Sequence, residues 1–330
     1  MLTRKDLMLA DVDTIVIEVA SVCNLKCPTC RVTQSKQPKK FMEFSKFIQI
    51  AHKLPLKLAR VVNISSSESL LHPDTFRIID TIKSINPKLY VSIITNGMLL
   101  DEEKQRELLK RGINLICVSI DGARKETTEK IRPGSNFETV TRHAKQFINK
   151  GGMVRTIYVV RDNNINDLLD FVDLASDIGI HLIKCTGLIS YTPEDAKHAL
   201  YSWEGLHEVD TIFKKAETKA KSKGILLTYR DTKLEHGYCC LSKTMYVGIN
   251  GEISPCVYLT EPTPLTLLDK TRITEPIFWG NVLEKPIQDI WLSPESLTFR
   301  QGIMNGTNCN LCGMKYTAVC GFKFALTCKE

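Results

Sequence analysis

Short apolar runs rich in Val and Ile recur along the first 186 residues, and amphipathic stretches separate them. The runs at 14–20, 60–65, 89–96, 115–121, 154–160 and 181–186 are nearly continuous in apolar character. That is the pattern of strands covered on both faces. Between them, 43–54, 74–85, 101–111, 136–149 and 165–178 carry apolar residues at helical spacing, and Gly179 ends the last as a C-cap. Six β/α units in series predict a parallel sheet with right-handed crossovers. Six rather than eight predicts an α/β fold of the incomplete TIM-barrel kind, a partial (β/α)6 barrel. A long helix is expected over 203–222 and one more strand in ILLTYR (225–230). TMYVGINGEISPCVY (244–258) then reads as a hairpin turning at Asn250-Gly251. The remainder is loop-rich, with two short helices expected in KPIQDIWL and SPESLTFRQGIM. The change of pattern places a boundary near residue 232, with the barrel over 1–232 and a small cysteine-rich α+β domain over 233–330.

An apolar content of 43% and a charged content of 25% are ordinary for a globular enzyme. The net charge of +7 is spread along the chain, and its Lys and Arg interleave with apolar residues. They read as solvated helix faces, so no nucleic-acid partner is expected. No run of 18 apolar residues exists, and no membrane partner is expected either. The opening MLTRKDLMLADVD lacks a long apolar segment with a small-residue cleavage site, which predicts a cytoplasmic protein. Twelve cysteines are many for that compartment. Cys117 and Cys185 stand alone, whereas the others gather at 23–30 and 239–328. Clusters of this kind favour metal over disulfides.

The sharpest signal is VASVCNLKCPTC (19–30), which places Cys23, Cys27 and Cys30 as C-x-x-x-C-x-x-C directly after the first strand. The C-terminal ends of barrel strands are where chemistry sits. Pro28 argues against a regular helix through the motif. Structural zinc and an ordinary 4Fe–4S cluster both take four ligands. Three thiols leave one iron corner open for a small molecule. The competing reading is a zinc knuckle with a distant fourth ligand.

This motif in this setting resembles the radical S-adenosylmethionine (SAM) superfamily. The resemblance implies that Cys23, Cys27 and Cys30 ligate three irons of a 4Fe–4S cluster whose fourth iron chelates SAM. One electron then cleaves the sulfonium, and a 5′-deoxyadenosyl radical takes a substrate hydrogen. An electron donor such as flavodoxin or ferredoxin is implied. ITNG (94–97) looks like the family's TNG turn, with Thr95 and Asn96 at the cofactor. VSIDG (118–122) looks like its S-x-D-G segment, with Ser119 near the SAM ribose and Asp121 beside it. IRPGSNFETV (131–140) is similar to the stretch that follows, with Arg132 facing the SAM carboxylate. The competing role for Ser119 and Asp121 is strand-end and turn chemistry. The chain departs from the family at its G-G-E-P turn, where it has Ser66-Ser67-Glu68-Ser69. Glycine permits positive φ more readily than serine. The two hydroxyls and Glu68 are then candidate ligands for the SAM ammonium group. Thr29 stands before Cys30, where the family often has an aromatic.

The later cysteines resemble the SPASM and Twitch extensions, which carry auxiliary 4Fe–4S clusters. Cys239-Cys240 precede Gly251 and Cys256, and Cys309-x-x-Cys312 is followed by Cys320 and Cys328 at seven-residue intervals. Residues 280–303 look like the segment those domains place before the C-x-x-C pair. The Twitch-type spacing implies one auxiliary cluster on Cys240, Cys256, Cys309 and Cys312. A cluster on Cys309, Cys312, Cys320 and Cys328 is the rival. Such a cluster suits electron transfer and so an oxidation, and the start of the first strand near residue 14 favours a small natural-product or sugar-type substrate. Sulfatase-maturing relatives carry Asp directly after the cysteine matching Cys256; here Val257 stands there. Epimerisation is the alternative, with Cys239 or Cys185 as hydrogen donor. Peptide modification is another, although the first strand near residue 14 leaves little room for an N-terminal peptide-recognition domain. A non-catalytic iron–sulfur or zinc scaffold is the alternative from outside enzymology.

Overall fold

The computed structural model describes residue 9, residues 11–234 and residues 240–304. Twelve strands are present among them: β1 (Thr14–Ile17), β2 (Val61–Ile64), β3 (Tyr90–Thr95), β4 (Leu115–Ser119), β5 (Val154–Val160), β6 (Leu182–Gly187), β7 (Leu226–Thr228), β8 (Thr244–Val247), β9 (Glu252–Ser254), β10 (Thr263–Leu267), β11 (Lys270–Thr274) and β12 (Gly280–Asn281). The long helices are α1 (Phe44–Lys53), α2 (Thr75–Ile85), α3 (Glu102–Lys110), α4 (Phe137–Asn149), α5 (Leu168–Ile178), α6 (His207–Ser222) and α7 (Pro294–Met304). β1 to β7 pair in parallel and in chain order. The six anticipated β/α units are therefore present in an open barrel, with β7 as the extra strand read in ILLTYR. Helix ends fall within a few residues of expectation. α5 ends on Gly179 at φ 93°, as a C-cap should.

The hairpin at Asn250-Gly251 forms as β8 and β9. Its first strand does something periodicity does not announce: β8 pairs in parallel with β1, Thr14 opposite Thr244. One ten-stranded sheet therefore runs β12-β9-β8-β1-β2-β3-β4-β5-β6-β7 across the expected boundary. The β10–β11 hairpin is a second, separate sheet. Pro264 and the charged, exposed β11 conceal its alternation in the sequence.

Strand alternation gives the barrel two faces. Ile15, Ile17, Val62, Ile64, Val91 and Ile93 join helix residues such as Phe47, Ile78 and Phe171 in the main core. The opposite register forms a small lumen cluster of Leu115, Cys117 and Ile157, with Tyr90 and Ile94 against it. Asn63, Ser92 and Arg155 occupy the same register and are also buried. The lumen is thus partly polar, whereas branched apolar residues dominate the filling of a closed barrel.

Candidate functional site

β1 carries the chain to the C-terminal rim of the barrel, and residues 21–30 loop there. Cys23, Cys27 and Cys30 lie on this loop, each half-buried and free. The Leu25 amide donates to the Cys23 Sγ at 3.4 Å, and Asn96 Nδ2 approaches the same sulfur at 3.6 Å. Donors aimed at a sulfur favour its thiolate form. Without metal, burial pushes Cys23 up and Cys27 up to about 11. Metal coordination reverses that, because a ligating thiol is deprotonated outright. Among the described residues, no three His, Cys, Asp or Glu side chains close around a single ion. The three cysteines nonetheless lie near enough to feel one another's charge. Three mutually close thiols on one loop fit three corners of a cubane.

The SSES turn follows β2. Ser66 adopts φ 96°, the left-handed region that glycine enters freely. The backbone shape survives although the glycine does not. Ser66 Oγ donates to the Tyr246 hydroxyl at 3.2 Å, and Ser67 Oγ donates to the Ala20 carbonyl at 2.5 Å. Glu68 is buried; its Oε1 accepts from Thr95 Oγ1 at 2.8 Å and from the Leu70 amide at 3.2 Å, while Oε2 accepts from the Asn96 amide at 2.8 Å. Burial raises the Glu68 pKa. The side chains of Ser66, Ser67 and Glu68 are thus spent on protein partners, while the Ser69 hydroxyl is buried without one. Replacing Ser66 tests the strain. Ser66→Gly and Ser66→Ala both lose the hydroxyl, but alanine keeps the left-handed cost, so the glycine variant should be the more stable by about 1 kcal/mol. Urea midpoints of the two variants check this, and equal midpoints would contradict it.

Thr95 and Asn96 enter the TNG turn. Asn96 Nδ2 also donates to Asn24 Oδ1 at 2.8 Å, which ties this turn to the cysteine loop. Gly97 has φ +80°, and a Cβ there would lie 2.9 Å from Val140 Cγ1 and 3.0 Å from Val118 Cγ1. Gly97→Ala should therefore lower stability by about 2 kcal/mol, read from the same urea curves.

Ser119 ends β4, half-buried, in the inward register. Asp121 follows and is fully engaged: Oδ2 accepts from Arg132 Nε at 2.7 Å, and Oδ1 accepts from the Val159 amide at 2.7 Å. Asp121 therefore holds Arg132 and locks the end of β5, while Arg132 keeps its remaining N–H donors. Cys27 lies within Coulomb reach of both.

A second charged group was not anticipated. Arg31, immediately after Cys30, donates from Nη2 to Glu18 Oε1 at 2.7 Å and from Nη1 to Glu261 Oε1 at 3.3 Å. Ser35 Oγ donates to Glu261 Oε2 at 2.9 Å. All three charged side chains are nearly buried, at 11%, 9% and 6% exposure. Tyr246 hydrogen-bonds Glu18, and burial followed by that carboxylate's charge holds its phenol well above the usual range. The available signal was parity: Glu18 continues the inward register of Thr14 and Val16.

Cys256 is half-buried at the start of the turn Val257–Leu259 and packs on the main core. Five residues later Glu261 reaches Arg31, which brings this segment to the cysteine loop. The Cys240 backbone opens the turn Cys240–Lys243. Cys239, Cys309, Cys312, Cys320 and Cys328 lie outside the described residues. Cys185, a candidate hydrogen donor, is buried. It belongs to the main core beside the helices, because Lys184 and Thr186 take the other parity. Cys117 does face the lumen, where Arg155 Nε donates to its Sγ at 3.1 Å.

An open β/α barrel with three rim cysteines and a cysteine-bearing C-terminal segment defines a class of iron–sulfur enzyme. Comparison with known proteins agrees. The radical SAM superfamily model matches residues 17–175, and the SPASM iron–sulfur cluster-binding domain model matches residues 239–313. The tungsten-containing aldehyde ferredoxin oxidoreductase cofactor-modifying protein of Pyrococcus furiosus is 25% identical over 299 residues, covering 86% of this chain and 82% of the relative. Streptococcus suis SuiB, solved with bound S-adenosylmethionine, superposes with a TM-score of 0.68 at 18% identity, over 93% of this chain and 71% of SuiB. BtrN, solved in complex with AdoMet and 2-DOIA, superposes with a TM-score of 0.52 at 17% identity, over 91% of each chain. This chain belongs to the radical SAM superfamily and carries a C-terminal SPASM iron–sulfur domain. Its cofactors are accordingly a 4Fe–4S cluster, SAM and an auxiliary iron–sulfur cluster. No helix among the described residues is long and apolar enough to cross a membrane.

Proposed function

We propose that this radical SAM enzyme oxidises a small natural-product or sugar-type substrate by removing two hydrogens, with the auxiliary cluster as electron acceptor and a flavodoxin or ferredoxin as electron donor. The observation that carries the reading is the Arg31 bridge: Glu261, just past Cys256, and the loop bearing Cys30 share one buried ion network. This bridge brings the segment after Cys256 against the cysteine loop, which supports a substrate held between the two cofactor regions. BtrN, crystallised with AdoMet and 2-DOIA, supports a small ligand for this fold.

In this proposal Cys23, Cys27 and Cys30 hold the first cluster. Cys240, Cys256, Cys309 and Cys312 hold the auxiliary one, with Cys320 and Cys328 in the rival set. When bound, the first cluster and SAM supply hydrogen-atom abstraction. The chain's own residues supply placement. Asp121 fixes Arg132 so that its free N–H groups meet the SAM carboxylate, and Ser119 offers its hydroxyl to the ribose. Ser66, Ser67 and Glu68 act through the turn's backbone, which their side chains hold in shape, while Thr95 and Asn96 fix that turn against the cysteine loop. Tyr246 keeps its phenolic proton and braces Glu18 beside Ser66. The division into 1–232 and 233–330 separates the two cofactor regions by role, although one sheet joins them.

Anaerobically reconstituted protein with SAM and dithionite should form 5′-deoxyadenosine, measured by chromatography. It should hold about eight irons per chain if one auxiliary cluster is present. With substrate, the product should be two hydrogens lighter by mass spectrometry. Solvent deuterium at carbon without that mass loss would instead establish epimerisation.

A further inference from the structure

Three arginines near the cysteine loop are largely shielded from solvent, and their charges are matched unequally. Arg31 faces two carboxylates, Glu18 and Glu261. Arg132 faces one, Asp121. Arg161, the residue after β5, is only 7% exposed and has no carboxylate within ion-pair distance among the described residues. Its Nη2 donates to Thr29 Oγ1 at 2.7 Å, so the guanidinium lies against the cysteine loop, two residues from Cys27. Its Nε is sealed from solvent with no acceptor. Its backbone is tied down by Asn164, whose Oδ1 accepts from the Arg161 amide at 2.8 Å. A guanidinium stays protonated in proteins and carries five N–H donors. One neutral hydroxyl is a poor return for burying it, and an unpaired buried charge is costly. Burial pulls Arg161 below its usual value and Arg132 adds to this, while Asp121, Asp195 and Asp162 act the other way from beyond ion-pair distance.

We propose that Arg161 is a substrate-anchoring residue: its guanidinium receives a carboxylate or phosphate group of the substrate at the rim of β5. A direct ion-pair partner then arrives with the ligand. The planar fork suits a bidentate oxyanion. Arg132, already held by Asp121, remains for SAM. The proposal rests on the reading above that substrate is held between the two cofactor regions, and it narrows that substrate to an acidic molecule.

The test uses anaerobic, fully reconstituted protein saturated with S-adenosylhomocysteine, which keeps the amino and carboxylate groups of SAM but lacks the sulfonium. Calorimetry measures the Kd of inorganic phosphate and of acetate on that complex, and separately the Kd of S-adenosylhomocysteine. In Arg161→Gln, the better-bound of the two anions should weaken by about tenfold or more, as expected for losing a charge-assisted contact. S-adenosylhomocysteine should change less than about twofold. Arg161→Lys should recover part of the anion binding, since it keeps the charge without the fork. Iron content and 5′-deoxyadenosine formation show that each variant is folded and loaded. The proposal is overturned if S-adenosylhomocysteine weakens as much as the anion, which would assign Arg161 to SAM. It is equally overturned if neither anion binds the wild-type complex, or if both bind Arg161→Gln unchanged. Failure of the wild type to form 5′-deoxyadenosine would instead strike the functional reading.

Discussion

Cys27→Ala is expected to abolish 5′-deoxyadenosine formation and to remove about four of the bound irons, leaving the auxiliary set in place. Cys27 is the middle thiol of the rim loop, and it feels the charges of Cys23, Cys30, Asp121 and Arg132. Losing one of three protein ligands leaves two corners of a cubane without support. The loss should therefore be complete, below the detection limit of chromatography over hours. Iron and sulfide assays with electron paramagnetic resonance of the reduced protein check which cluster has gone. Retained activity with unchanged iron would remove the cysteine loop from the cofactor site altogether.

Arg31→Met is expected to lower stability by about 3–5 kcal/mol, the usual cost of removing one partner from a buried ion pair. Two carboxylates are stranded here, Glu18 and Glu261, each at less than a tenth exposure. The methionine keeps much of the side-chain volume, so the loss is electrostatic and not a cavity effect. Chemical denaturation gives the magnitude. The double variant Arg31→Met with Glu261→Gln should lose less than the sum of the two singles, because each single change strands a charge that the double removes. Additive losses would mean that Arg31 and Glu261 do not share the network.

Much of the barrel was legible because its strands are local and their apolar runs are distinct. The cysteine trio was legible because three thiols occupy eight consecutive positions. The rest depended on contacts between distant residues. Nothing in TMYV states that it will lie beside TIVI, since parallel pairing leaves no turn signal between partners. The Arg31–Glu261 bridge joins positions 230 residues apart, so no window reveals it. For Cys185 the strand was legible, but one position decides between lumen and helix layer, and it lies with the helices. The SSES turn shows the converse. Its composition argued against a glycine-like shape, yet Ser66 adopts it at φ 96°, held by Tyr246 on a strand far along the chain.

The pairing of β1 with β8 also bears on how the protein is made. β1 emerges early from the ribosome but gains its second neighbour only when Thr244 has been synthesised. During translation one border of the nascent sheet stays uncovered, and such borders invite strand exchange and aggregation. Contacts of such long sequence separation also slow folding. Yield should therefore respond strongly to chaperone supply and to slower growth at low temperature, and polypeptides ending before β8 should accumulate as insoluble material.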